Sequence, residues 1–390
     1  MTALPVHPFP ARMAPDLALS QLPPKTKAKS RMTVLDPMMG SGTIPVLAAL
    51  RGHDAVGLDM DPLAVMIARV WGRPIDEAAL DAAAQRVVRR ARKAPREPEW
   101  PDDETRDFAD YWFDPDAQVS LASLMGAIDE QHAELRDPLR CALSRLIITK
   151  DAGASRARDV SHSRPHRVRT KASFDPLDRF EHAARVVASR HRQTAETRPA
   201  AKRLRLESGD ARNIPLRDGG VDVVMTSPPY LQAIDYLRGH RLSLIWFGHS
   251  ISELRELRGT VVGSNRGAIV EVEDEAIMTE TAGDELSSRA RGILSRYIHD
   301  LTEIVEETRR VVRDDGRVIF VVAEATLRGR PVQVSRIVEL VAERAGLVLE
   351  ERMVRAIKQD RRYLPPPSGG KGTLDKRMRD ESCLTFAVAA

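Results

Sequence analysis

Short apolar runs and longer segments of helical period alternate along this chain. The runs at 33–36, 55–59, 204–207, 221–225, 318–322, 347–354 and 382–388 predict strands, several of them buried. Between them, 43–51, 62–71, 284–313 and 332–345 predict helices. Alternation of this kind builds an open, mainly parallel sheet covered by helices. It is interrupted from residue 76, where helical segments succeed one another at 76–93, 115–132, 138–150 and 174–191. Three regions result: 1–72, a mainly helical insertion over 73–200, and 201–390.

The punctuation agrees with this division. Asp61-Pro62 suits a first helical turn, and Asp314-Asp315-Gly316 predicts the turn that ends the long helix. A proline- and acid-rich linker spans 95–103. An amphipathic segment lies at 15–22, and the segment 234–247 predicts a helix rich in aromatic and basic groups. The glycine-punctuated stretch 259–267 predicts a loop that closes over a substrate.

Composition narrows the classes. The 390 residues suffice for one large domain with an insertion. A net charge of +4 and a pI near 9.1 are compatible with nucleic acid without demanding it. Two cysteines, Cys141 and Cys383, give neither a disulfide framework nor metal-ligand spacing, as expected of a reducing cytoplasm. With no signal pattern and no apolar run of spanning length, a soluble cytoplasmic protein without membrane contact is expected.

Two stretches carry candidate chemistry. The strand at 221–225 empties into Thr226-Ser227-Pro228-Pro229-Tyr230. The prolines fix their own φ angles and remove two backbone donors, so nearby carbonyls face outward from a stiff loop. Ser227 and such a carbonyl can accept the two hydrogens of an amino group while Tyr230 stacks on its ring. A surface turn at a strand end would also produce this composition. Far upstream, Asp36-Pro37-Met38-Met39-Gly40-Ser41-Gly42-Thr43 follows the first strand, and Asp59 ends the second. Glycines at 40 and 42 allow close backbone approach to a ligand, and an acid at a strand end can accept both hydroxyls of a ribose. The spacing matches neither a dinucleotide fingerprint nor a P-loop.

Together the two stretches resemble the amino-methylating DNA methyltransferases, whose motifs read D-P-x-x-G-S-G-T and D/N/S-P-P-Y. The resemblance implies a Rossmann-like class I methyltransferase fold: a mainly parallel seven-stranded sheet with one antiparallel strand near its edge. It implies S-adenosyl-L-methionine as cofactor, held by Asp36, Pro37, Gly40, Gly42, Thr43 and Asp59. An acid in the next strand-end turn contacts the cofactor's adenine in that family, which brings in Asp210 and Ala211. Ser227, Pro228, Pro229 and Tyr230 become the catalytic loop. The segment before the glycine motif would pack beside the methionine end of the cofactor. The substrate implied is duplex DNA with its target base flipped out, and a restriction nuclease is a potential partner.

In the resembled family a serine heading the second motif is commoner among the cytosine-N4 enzymes, so the resemblance favours cytosine N4 over adenine N6. Cytosine C5 chemistry would need an attacking cysteine in a Pro-Cys setting, and Cys141 follows Arg140 while Cys383 follows Ser382. Phosphate contacts are expected from the basic run at 151–171, notably Arg156, Arg158, Arg164 and Arg167, and from Arg238, His240 and Arg241. That run also holds His162 and His166, yet no supporting ligand spacing points to metal. Two alternatives stay open: a tRNA guanine-N2 type RNA methyltransferase, and a non-catalytic nucleic-acid-binding protein retaining the fold.

Overall fold

In a computed structural model, residues 6–9, 13–22, 30–158, 165–192, 203–231, 236–262, 275–283, 286–357 and 380–389 are described. Helix α1 (Pro15–Gln21), strand β1 (Thr33–Asp36), α2 (Thr43–Leu50), β2 (Asp54–Asp59) and α3 (Pro62–Gly72) come first. Then follow α4 (Glu77–Lys93), α5 (Asp103–Trp112), α6 (Pro115–Asp129), α7 (Ala133–Ile147), the ribbon β3 (Ala157–Arg158) and β4 (His166–Arg167), and α8 (Pro176–Arg192). The chain returns to sheet at β5 (Leu204–Ser208) and β6 (Val221–Thr226). Next are α9 (Tyr236–Leu244), a 3-10 turn (Ile245–Phe247), α10 (Ile251–Thr260), α11 (Glu275–Ala282) and α12 (Ser288–Val311). β7 (Val312–Val322), the hairpin β8 (Ala325–Leu327) and β9 (Arg330–Val332), α13 (Val334–Arg344), β10 (Leu347–Ala356) and β11 (Asp380–Val388) complete it.

Seven strands form one sheet in the order β10-β11-β7-β6-β1-β2-β5. β5, β2, β1, β6 and β7 pair in parallel, and β11 runs antiparallel between β7 and β10. The Rossmann-like class I methyltransferase architecture expected from the motifs is thus present. Strand alternation explains the apolar runs: Val224, Val318 and Phe320 enter the core under α12 and α13, while Val223, Met225, Ile319 and Val321 enter the one under α1 and α2. Both faces are covered, so successive positions are apolar.

A third core joins the helices of the insertion to the sheet's surroundings. It holds Leu63, Met66, Ile67 and Val70 of α3, residues of α4 to α8, and Leu237 and Leu242 of α9. Aspartates set most of these helix starts: Asp61, Asp76, Asp102 and Asp114 each accept a backbone N–H in the first turn of α3, α4, α5 and α6.

Among the departures from the expected elements, three have a clear physical reason. α5 lies at the end of the supposed linker; its Thr105, Phe108, Ala109 and Trp112 sit at helical spacing among acids that hide the stripe. α7 begins at Ala133, ahead of the buried Pro138. Burial of Leu139, Leu143, Leu146 and Ile147 offsets a proline cost of roughly 3 kcal/mol. Residues 314–316 form no free turn, because β7 already starts at Val312 and absorbs them in a register shift against β6. Among the described residues, no helix is long and apolar enough to cross a membrane.

Candidate functional site

The carboxyl ends of β1, β2, β5 and β6 lie side by side, because these strands are parallel neighbours. Both sequence motifs are therefore brought to one edge of the sheet, where open α/β sheets bind ligands. Asp36 ends β1 and is buried. Its Oδ1 accepts from Thr226 Oγ1 at 2.8 Å and from the Met38 N–H at 3.2 Å. Loss of water around Asp36 outweighs these bonds and pushes its carboxyl up to about 7.

The glycine loop turns on backbone shapes that favour glycine. Gly40 has φ +51° and Gly42 φ +84°. A Cβ on Gly42 would stand 2.7 Å from Cβ of Ala68, so α3 packs directly on the loop. Thr43 starts α2, with Gly42 at its N-cap and no side-chain cap on the helix end. Ser41 Oγ is buried and finds no hydrogen-bond partner among the described residues. A polar atom so placed beside an uncapped helix start fits a polar ligand in the loop.

Asp59 ends β2 and faces that loop. Its Oδ2 accepts from the Gly40 N–H at 2.8 Å, and its Oδ1 from the Asp61 N–H at 2.9 Å. Each oxygen retains a further lone pair for a ligand hydroxyl. Desolvation, followed by the nearby Asp61 carboxylate, pushes Asp59 up to about 6. Asp36, Gly40, Ser41, Gly42, Thr43 and Asp59 thus form a cradle that suits S-adenosyl-L-methionine.

Asp210 lies beyond β5 in the expected turn, with Ala211 buried beside it. Arg212, missed in the sequence reading, holds both oxygens of Asp210, with Nη2 2.7 Å from Oδ2, and reaches Asp300 of α12 at 2.8 Å. Ser227 follows β6 directly; Pro228 is buried, and Pro229 and Tyr230 are partly exposed. Burial raises the hydroxyl pKa of Tyr297, with Tyr230, Asp300 and Glu324 adding to the effect.

The residues expected to meet phosphate divide. Arg158 is exposed and pairs with Asp151 at 3.3 Å; Arg167 lies over the Tyr111 ring at 4.8 Å. Arg156 is spent internally, donating to the carbonyls of Thr170 and Asp110 at 2.7 and 2.6 Å and so tying the ribbon to α5. Arg238 is partly exposed on α9, and Arg241 sits over the Phe108 ring at 5.0 Å. The expectation for His240 is corrected: its ring is fully buried and its Nδ1 pairs with Asp61, so no phosphate reaches it. Arg164, His162 and the segment 263–267 lie outside the described residues. In the terminal segment before the glycine motif, the Phe9 ring packs on Gly40 and His7 Nε2 stands 2.8 Å from Ser144 Oγ.

No family model matches the chain. A curated relative, the Type II methyltransferase M.MvaI of Kocuria varians, is 24% identical over 352 residues, covering 83% of this chain and 77% of that protein. Among solved structures, a TehB-like SAM-dependent methyltransferase from Corynebacterium glutamicum is 11% identical with a TM-score of 0.31, covering 96% of this chain and 86% of that one. A SAM-dependent methyltransferase from Methanosarcina mazei is 7% identical at 0.34, covering 97% and 100%. A Thermus thermophilus protein assigned to the DNA modification methylases, solved with S-adenosyl-L-methionine, is 14% identical at 0.26, covering 47% and 52%. These TM-scores are too low to carry weight. The chain is thus similar to a type II methyltransferase, and its own motifs and sheet order accord with S-adenosylmethionine-dependent methyl transfer.

Proposed function

We propose that this enzyme methylates DNA site-specifically at an exocyclic base amine, with cytosine N4 favoured over adenine N6. The observation that carries this is the Thr226–Asp36 bond, which fixes the S-P-P-Y loop beside the glycine loop. Asp36, Pro37, Gly40, Gly42, Thr43, Asp59, Asp210 and Ala211 would hold S-adenosyl-L-methionine, which would supply an electrophilic methyl group there. An exocyclic amine is a poor nucleophile because its lone pair is delocalised into the ring. Ser227 and a proline-flanked carbonyl accept the amine's hydrogens and localise that lone pair. Tyr230 stacks on the base, and the stiff Pro228-Pro229 backbone holds the acceptors in place. A paired base must leave the duplex to reach this loop.

The cysteines speak against carbon-5 chemistry. Cys141 is buried in α7 with its thiol pushed up to about 12, and Cys383 is buried in mid-sheet with its thiol pushed up to about 11. Neither stands at the strand ends. The region 73–200 is proposed to meet the duplex through Arg158 and Arg167 on its ribbon, with Arg238 and Arg241 beside the flipped base. The relative's type II name makes a companion nuclease part of the proposal.

Methyl transfer from tritiated S-adenosylmethionine to DNA and to tRNA tests the proposal, with the modified nucleosides separated by mass spectrometry. N4-methylcytosine in DNA is expected. N6-methyladenine would move the target but keep the mechanism, and labelled tRNA or 5-methylcytosine would reject the reading.

A further inference from the structure

Four segments of the chain meet in a closed circuit beside the cofactor cradle. The Gly40 and Asp61 N–H groups donate to the two oxygens of Asp59 at 2.8 and 2.9 Å. Asp61 accepts the Leu63 N–H on Oδ1 at 2.9 Å, capping α3, and its Oδ2 pairs with His240 Nδ1. The His240 ring lies 5.3 Å, centroid to centroid, from Phe9. Phe9 closes the circuit, its Cε1 standing 3.2 Å from where a Cβ on Gly40 would be. The terminal segment, the glycine loop, the β2–α3 turn and α9 are joined in this way.

His240 is the member of this circuit that belongs to the substrate side. It sits on α9, the next described helix after the S-P-P-Y loop, and is fully buried. Leu237 and Leu242 on either side of it share a core with Leu63, Met66 and Ile67 of α3. A packed core permits discrete arrangements rather than continuous sliding. The Asp59–Asp61 turn is therefore joined to α9 through a buried side-chain pair.

We propose that His240 is a positioning residue that transmits cofactor occupancy at Asp59 to α9, the next described helix after the S-P-P-Y loop. The inference rests on the reading that Asp59 takes the cofactor's ribose. Ribose hydroxyls bound to Asp59 fix the orientation of its carboxylate, hence of the Gly40 and Asp61 amides, and so of Asp61 against His240. α9 is then held in one arrangement when the cofactor is seated.

Amide hydrogen exchange with and without S-adenosylhomocysteine, together with steady-state kinetics, tests this. In the wild type, exchange within α9 slows when the ligand binds. His240→Leu removes the donor to Asp61; it should abolish that response and lower kcat about 100-fold, while the ligand's Kd stays within about threefold. His240→Asn, which keeps a donor near the Nδ1 position, should restore most of both. Indifference of wild-type α9 to the ligand, or an unchanged kcat in His240→Leu, overturns the proposal. If His240→Leu fails to fold, Phe9→Leu opens the circuit at another link and carries the same two outcomes. Asp59→Ala separates the two layers. Unchanged ligand binding there rejects the ribose reading itself, whereas lost binding with fully active His240 variants rejects only the relay.

Discussion

Thr226 Oγ1 donates to Asp36 Oδ1 across 2.8 Å, joining the residue before Ser227 to the first residue of the glycine motif. Both are buried, and their strands are parallel neighbours separated by 190 positions in the chain. The bond ties the end of β6, ahead of the S-P-P-Y loop, to the start of the glycine loop.

Thr226→Val, nearly isosteric, deletes that donor and leaves Asp36 without its best partner. At pH 8, where Asp36 is ionised, urea unfolding should show a loss of about 1–3 kcal/mol. The loss should shrink toward pH 5, because a protonated Asp36 no longer needs the donor. A pH-independent effect would mean that packing, not the bond, is what threonine contributes.

Cofactor affinity should depend on Asp59. Two ribose hydroxyls need an ionised acceptor, and the Asp59 carboxyl is held at about 6 rather than 3.8. Affinity is then full above pH 7 and declines as pH falls through 6, approaching about tenfold per pH unit. Calorimetric titration from pH 5 to 8 measures this, and Asp59→Asn should bind more weakly with a flattened profile.

The same linkage acts on stability through Asp36. Its folded pKa of about 7 lies above the ordinary 3.8, so the folded state holds the proton more tightly than the unfolded chain. The stabilisation this provides is complete below pH 4 and disappears as pH rises through 7. Asp36→Asn should remove that component of the pH dependence in thermal unfolding of the ligand-free protein.

Gly42→Ala places a methyl group 2.7 Å from Ala68 Cβ on a backbone at φ +84°. Strain of about 1–2 kcal/mol from the backbone alone, with the clash added, should lower Tm and displace the loop. Cofactor binding should fall with it. Retention of wild-type Tm and affinity would show that α3 yields more readily than its packing suggests.

Arg158 and Arg167 should behave unlike Arg156. Neutralising the first two should reduce the slope of log K against log salt for DNA by about 1 each, across sequences. Arg156→Ala should mainly lower Tm, since its guanidinium holds the carbonyls of Asp110 in α5 and of Thr170 beyond the ribbon. Equal salt slopes in all three variants would remove the ribbon from the DNA interface.

The sheet and both loops were legible because their signals are local. An apolar run, a pair of prolines and two spaced glycines declare themselves within ten residues. α5 was hidden because Asp103, Glu104, Asp107 and Asp110 swamp a stripe of four buried or half-buried positions. His240 was misread because its surroundings in sequence, Arg238 and Arg241, are basic, whereas its partner Asp61 lies 179 positions away. Thr226, Arg212 and Tyr297 escaped for the same reason: each acquires its role from a neighbour supplied by the fold. Asp61 was recognised as a helix start, yet nothing local announced its second oxygen's partner.

β1 and β2 leave the ribosome long before β5 and β6, their parallel neighbours on either side, which arrive only after α4 to α8 have been made. At usual elongation rates the 145 residues from Asp59 to Leu204 take on the order of ten seconds. Through that interval the nascent chain presents two strand edges with no mates, while the helices between them can consolidate through nearer contacts. The length of the insertion thus sets how long the half-built sheet, with its unpaired edges, waits for its outer parallel strands.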